Sequence, residues 1–357
     1  MSNEITADAN NEGVTGTDDY RHWQLELNTD EIAFLSIDCV DQSTNTLSEE
    51  VLQEFETAIE WLRRNPPKGL VIQSAKASGF IVGADITEFD KLTDPRETEQ
   101  YINRVHDTLN KLERFRFPTV AKISGFCLGG GLEIALACDY RVASDDAKTK
   151  LGLPEILLGI HPGFAGTVRS IEKAGVAKAM DLMLTGKSID ARRAKRMGLV
   201  DHAVPPRHLD RAAVQMITKP PSAKKQALAD RVSNTALTRP AVAAVLRKQV
   251  SKRAAEQHYP APYALIRLWQ EHGGDRMAMM RAEATSIARL FVSPTSKNLQ
   301  RLFFLQERLK GFGRASRDFK GGGRRSTTRR NLRQMGGKGS HMWKSGMQVS
   351  CDEFLTV

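Results

Sequence analysis

The sequence predicts an α/β fold: strand–strand–helix units repeat as far as Val204, and an all-helical C-terminal region follows. Three observations carry this. Two short apolar runs of buried-strand type, GLVIQSA (69–75) and TVAKIS (119–124), each lead through a glycine-bearing loop into a helix. Strand and helix patterns alternate in a coarse rhythm up to LVDHAV (199–204). After Pro205 and Pro206 the chain becomes rich in Ala, Leu, Arg and Lys, with helical periodicity and few strand signals.

The elements follow in order. Residues 22–28 and 32–38 alternate apolar and polar side chains around Asn28, Thr29 and Asp30, which is a hairpin signal. Positions 47–64 have helical spacing, ended by Pro66, Pro67 and Gly69. The strand 69–75 leaves into KASGFIVGADITEF (76–89), expected as a glycine-punctuated loop that opens a helix near Asp85. A long amphipathic helix is expected over 98–115, stopping before Pro118. The strand 119–124 runs into the turn Gly129–Gly130–Gly131, and DYRVAS (139–144) reads as a further strand. Residues 164–174, 176–184 and 190–197 read as successive helices, and 199–204 as a last strand. The chain thus divides into a polar, acidic lead-in expected to be disordered (1–20), an α/β domain (21–206), a helical extension (207–312) and a basic tail expected to be disordered (313–357).

Composition is that of a soluble globular protein, 41% hydrophobic and 26% charged, and no apolar run reaches the length of a membrane span. The N-terminus is neither a secretory signal nor an Arg-rich transit peptide. Cys39, Cys127, Cys138 and Cys351 are scattered, without CxxC pairs or Cys/His spacing for a metal, so reduced thiols and a cytoplasmic location are expected. The net charge of +10 suggests nucleic acid, but +7 of it falls in residues 311–357. That tail lacks interleaved aromatics, Trp343 standing alone, so no nucleic-acid partner is expected.

The chemistry lies in residues 124–169. Three glycines enter a helix just ahead of Glu133, and Glu155 follows Pro154 after an intervening strand and turn. Glycines at a helix start let backbone N–H groups approach a ligand oxygen, and Ala84 and Gly130 are the positions whose amides can aim at one atom. One such oxyanion donor is worth roughly 2.7–4 kcal/mol in a transition state. Two carboxyl groups beside the cradle can move protons for the group it polarises. Alone, a Glu in a first helical turn is more often a dipole-complementing residue, and Pro-Glu is a common helix start.

Together the segments GFIVGADITEF, SGFCLGGGLEIALACDYRVAS, LGLPEILLGIHPGFAGTVR and LTGKSIDARRAKRMGLVDHAV are similar in order and spacing to the enoyl-CoA hydratase (crotonase) superfamily. Within it, they most resemble the hydratase/isomerase part of bacterial multifunctional fatty-acid oxidation alpha subunits. The resemblance covers 23–204 strongly and the helical region more weakly. It implies a spiral of ββα turns. It also implies an acyl-CoA substrate whose thioester oxygen meets the amides of Ala84 and Gly130, with Asp85 and Gly129 lining the pocket. Glu133 would activate water and Glu155 would exchange the α-carbon proton, giving hydration in β-oxidation and Δ3–Δ2 isomerisation at the same site. No metal or cofactor is implied for either reaction.

Ala165 departs from the family, whose members usually carry glycine there, and a slight crowding of the helix start is expected. His161 is expected as loop filler, and Lys76 as a solvated lysine rather than a contact to a CoA phosphate. Multifunctional relatives continue into a dinucleotide-binding unit. Here no apolar strand precedes the glycines after Phe319, so NAD binding and dehydrogenase activity are not expected, and the tail reads as a truncated remnant. A thiolase beta subunit and self-association are the partners implied. Two other readings stand beside hydration: a non-catalytic assembly subunit docking a thiolase, and another acyl-CoA reaction on the same fold.

Overall fold

The alternation at the start of the chain closes a hairpin. In the computed structural model, which describes residues 20–221 and 228–319, β1 (Trp23–Leu27) pairs antiparallel with β2 (Ile32–Ile37), Trp23 opposite Ile37. The expected lead-in and most of the expected tail lie outside the described residues. Helix α1 (Glu49–Arg64) is capped by Ser48, whose side chain accepts from the Val51 amide. Acidic Glu49 and Glu50 begin it and basic Arg63 and Arg64 end it, both favourable to the helix dipole.

β3 (Gly69–Ser74), β5 (Thr119–Ile123), β7 (Tyr140–Ser144) and β10 (His202–Val204) extend the hairpin in parallel, giving a six-stranded sheet in the order β1-β2-β3-β5-β7-β10. The central strands carry apolar residues toward both faces because both are covered. Leu70, Ile72, Ala121, Ile123 and Ala143 face the main core. Val71, Val120 and Val142 face the other way, against Leu209, Ala213, Met216 and Ile217 of α7 (Leu209–Thr218).

A second sheet was not legible in the sequence. β4 (Gly79–Ile81), β6 (Phe126–Leu128), β8 (Lys150–Gly152) and the antiparallel β9 (Ser188–Ile189) form it. The expected loop at 76–85 therefore contains a strand, and a short 3-10 helix, Ile86–Lys91, capped by the Asp85 side chain, opens where a helix is expected. Successive turns of chain place a long strand in the large sheet and a short one in the small sheet, then a helix. The helices between are α2 (Pro95–Glu113), α3 (Gly130–Ala137), α4 (Gly166–Ala174), α5 (Val176–Thr185) and α6 (Ala191–Met197). This is the expected ββα spiral. α2 starts three residues before the expected Thr98 because Asp94 caps it and Pro95 occupies its first turn.

The C-terminal region is helical as expected: α8 (Leu228–Ser233), α9 (Arg239–Ser251), α10 (Pro260–His272), α11 (Arg276–Phe291) and α12 (Pro294–Phe319). Two expectations need correction. α12 continues past the boundary drawn at 312. The region is also no mere appendage, because α11 packs on α2 and its Met279, Met280, Ala284 and Ile287 join the main core. Among the described residues, no helix is long and apolar enough to cross a membrane. Cys39, Cys127 and Cys138 are buried and unpaired, and burial raises the pKa of each thiol.

The head of α3 lies tightly against β4 of the small sheet. A Cβ on Gly131 would stand 2.5 Å from the Ile81 carbonyl oxygen. Gly131→Ala should therefore destabilise the protein by about 1–3 kcal/mol, the usual result of overpacking. A urea midpoint equal to that of the parent would show that β4 and α3 yield freely.

Candidate active site

Each repeat of the spiral ends its short strand at the same place. Beyond β4 the chain runs through Gly83 and Ala84. Beyond β6 it enters the glycine run and α3, and beyond β8 it turns into the 3-10 helix Pro154–Leu158. These ends enclose a cavity of about 320 Å³ lined by all six residues singled out in the sequence: Ala84, Asp85, Gly129, Gly130, Glu133 and Glu155.

The two amides are free to act on a ligand. Gly130 opens α3, so its N–H has no place in the helical ladder. Around Ala84 the backbone is tied down on both sides: Gly83 O accepts from Leu47 N (2.9 Å) and Asp85 N donates to Leu47 O (3.0 Å). The Ala84 amide itself has no partner among the described residues. Gly129 precedes α3 with φ 52° and ψ −129°, a conformation that favours glycine. A Cβ there would also approach Glu155 Oε1 to 3.1 Å.

The two carboxyl groups differ. Glu133 is buried in the first turn of α3, and its Oε1 accepts from Phe164 N (2.7 Å) and Gly166 N (2.8 Å). Glu155 is half-buried as a residue, but both its carboxyl oxygens are out of water and without a hydrogen-bond partner. Burial, with the nearby charges of Glu155 and Glu283, holds Glu133 well above the usual carboxylate range, and the two amides only partly offset this. Burial likewise pushes Glu155 up to about 8, and Glu283 adds to the shift. Asp85 Oδ1 is occupied with Thr87, at 2.9 Å from its amide and 2.6 Å from its hydroxyl.

Three side chains differ from expectation. Lys76 is not solvated: its ammonium pairs with Asp38 at 2.5 Å and is largely covered. His161 is more than loop filler, being fully buried with Nε2 2.8 Å from Ser286 Oγ of α11 and Nδ1 2.8 Å from Pro162 O. Ala165 adopts φ 63° and ψ 22°, a left-handed conformation in which an alanine costs on the order of 1 kcal/mol or more where glycine costs nothing. The cavity also has walls that sequence reasoning missed: Phe89, Tyr101 and Phe164, with Ile287 and Phe291 from α11. The apolar stripe of α11 was the only signal for the last two, and it does not say what the helix covers. One side-chain group has metal-like spacing among the described residues, His22, Glu50 and Glu54 within 4.8 Å, and none of the three lines the cavity. Glu54 there accepts the amides of Arg21 and His22, and Glu50 pairs with Arg21.

A spiral of ββα turns thus encloses one cavity lined by two carboxyl groups and two free amides. The chain belongs to the enoyl-CoA hydratase/isomerase family, which it matches over residues 32–261. It is 37% identical over 294 residues to the fatty acid oxidation complex subunit alpha of Shewanella frigidimarina, covering 81% of this chain and 41% of that protein. The subunit alpha of Aliivibrio fischeri is 37% identical over 286 residues, with 79% and 41% covered. The chain thus spans about two fifths of the length of these curated relatives. Among solved structures, an enoyl-CoA hydratase from Bacillus anthracis is similar with a TM-score of 0.52 and 26% identity, over 72% of this chain and 93% of that one. One from Mycobacterium avium subsp. paratuberculosis shares the fold, with a TM-score of 0.57 at 19% identity over 80% and 96% of the two chains.

The raised Glu155 has a consequence for stability. The folded protein keeps a proton that the unfolded chain releases above pH 4.5, so stability is highest below 4.5 and falls as pH rises to about 8. The slope of this contribution is at most about 1.4 kcal/mol per pH unit. Glu155→Gln should lose that dependence, so its advantage over the parent in urea denaturation should be larger at pH 8 than at pH 5. An unchanged difference between the two pH values would mean that Glu155 titrates normally.

Proposed function

We propose that the chain is an enoyl-CoA hydratase of fatty-acid β-oxidation, adding water across the 2,3 double bond of a 2-enoyl-CoA to give a 3-hydroxyacyl-CoA. The observation that carries this reading is the pairing of Glu133 and Glu155, inequivalent in their donors, across a cavity with two free amides. The thioester oxygen is received by the Ala84 and Gly130 N–H groups, which draws electrons from the β-carbon. Glu133 serves as the base, since its carboxylate is the one with amides to stabilise it, and it takes a proton from water as the oxygen bonds to the β-carbon. The C=C electron pair moves onto the thioester as an enolate. Glu155, still protonated because its oxygens are buried without donors, delivers its proton to the α-carbon. Proton exchange with solvent then restores the pair. Asp85, with Oδ1 held by Thr87, and Gly129 shape the pocket beside the reacting group.

Isomerisation of a 3-enoyl-CoA uses the same polarised thioester and the same proton carriers, so we include it. Neither reaction changes oxidation state through an external carrier, so no cofactor and no metal is assigned. Dehydrogenase activity is not part of the proposal. The relatives named as fatty acid oxidation complex subunits motivate a thiolase as partner. Co-elution with a thiolase on gel filtration tests that part.

Glu133→Gln and Glu155→Gln should each lower the turnover of crotonyl-CoA by about 10²–10⁴-fold in folded protein, the usual loss for a general acid or base. Parental turnover in either variant removes that residue from the mechanism. The pH profile offers a separate check: the parent's turnover should decline as pH rises past about 8, where Glu155 loses the proton it must donate. A rate that keeps climbing through pH 9 contradicts the assignment.

A further inference from the structure

The turn that feeds α4 is held from two sides by carboxyl groups in alternation. Phe164 N and Gly166 N donate to Glu133 Oε1, at 2.7 and 2.8 Å. The residues between and after them donate to Glu283 of α11 instead: Ala165 N to Oε1 at 2.6 Å and Thr167 N to Oε2 at 3.3 Å. The Thr167 hydroxyl bonds Glu283 Oε2 as well. The carbonyls of the turn are taken too. Gly163 O lies 2.8 Å from His106 Nε2, whose proton is shared with Glu283 Oε1 at 3.1 Å, and Phe164 O accepts from Arg169 Nη1 at 3.0 Å. Glu283 is fully buried, 116–118 residues away in sequence from the amides it binds.

We infer that Glu283 is a positioning residue for Glu133: by fixing the Ala165 and Thr167 amides, it sets the intervening amides at hydrogen-bond distance from the Glu133 carboxyl. The amides of this turn have no intrahelical partners, and the two carboxyl groups take alternate members. Without Glu283, Ala165 N would be a buried donor with no partner, and the turn would rearrange to satisfy it. Ala165 makes the clamp more necessary, since its left-handed conformation is one an alanine leaves readily. The clamp also explains why the helical region is joined to the α/β domain through α11. That helix supplies cavity walls in Ile287 and Phe291 and, one turn earlier, the acceptor that orders the site.

Glu133 faces Glu155 from the 3-10 helix and Glu283 from α11. His106 of α2, His161 before the turn and Arg169 of α4 are the other titratable or charged groups bonded around the turn. The test therefore keeps the charge and changes the reach. The inference rests on the hydratase reading for its kinetic arm, while a spectroscopic arm stands without it. In full-length Glu283→Asp, turnover of crotonyl-CoA should fall on the order of 10²-fold, the scale of a small misplacement of a catalytic group, with KM within about twofold. The Glu133 carboxyl band in difference infrared spectra, identified by subtraction of the Glu133→Gln spectrum, should titrate at higher pH, because the carboxylate has lost amide donors.

A structural role alone would lower the melting temperature without moving that titration. Thr167→Val, which deletes one bond to Glu283 with little change of shape, should shift both readouts in the same direction by less, and it decides the matter if the Asp variant does not fold. Parental turnover, or lost turnover with an unmoved Glu133 titration, overturns the inference. If the parent protein does not hydrate crotonyl-CoA but the titration moves, the positioning role stands and the reaction assignment falls.

Discussion

Buried carboxyl groups and a shortage of donors to satisfy them shape everything around the cavity. Moving a carboxylate out of water costs several kcal/mol unless hydrogen bonds replace its hydration. Here three carboxyl groups share one short run of amides: Glu133 takes two, Glu283 takes two, and Glu155 takes none. Burial raises both Glu133 and Glu155 above the usual carboxylate range, and the two amides offset part of this at Glu133. Donors lower the cost of a buried anion, and the backbone supplies them to Glu133 but not to Glu155.

The architecture follows from the need to bring those groups together without water. Each turn of the spiral places a buried strand in the large sheet, which fixes the scaffold, and a three-residue strand in the small sheet, which ends at the cavity. Short strands suit this task because the chain must leave the sheet at once to present an amide or a carboxyl. α3 serves the same end. All eight of its residues are buried, so the partial positive charge of its N-terminus is not screened by solvent at Gly130.

What the sequence revealed reflects how local each signal is. The hairpin, the parallel strands 69–74 and 119–123, the capped α1 and the glycine entry to α3 all depend on neighbours within a few residues, and they were read within a residue or two of their observed ends. All six site positions lie on three short segments, and they reach one cavity. β4, β6 and β8 were missed because three residues carry no period, and only pairing across the spiral makes them strands. Lys76 and His161 were misjudged for a related reason. Their partners, Asp38 and Ser286, lie 38 and 125 residues away, and burial at such distance leaves no mark on the local pattern.

Glu283 is the extreme of that non-locality. In sequence it is one acid in an alanine- and arginine-rich helix, indistinguishable from a solvated face. In the structure it is fully buried against the head of another helix. Its partners, two backbone amides with the Thr167 hydroxyl and His106, lie more than a hundred residues away, so nothing near it in the sequence betrays the contact. A helical region that looks separable by composition is thus energetically part of the α/β domain. Removing α11 would take away the cavity wall formed by Ile287 and Phe291 and leave the Ala165 and Thr167 amides without their acceptor, in the turn that carries both amide donors to Glu133. The boundary after Pro206 marks a change in secondary structure, whereas the cooperative unit that holds the site extends through α11.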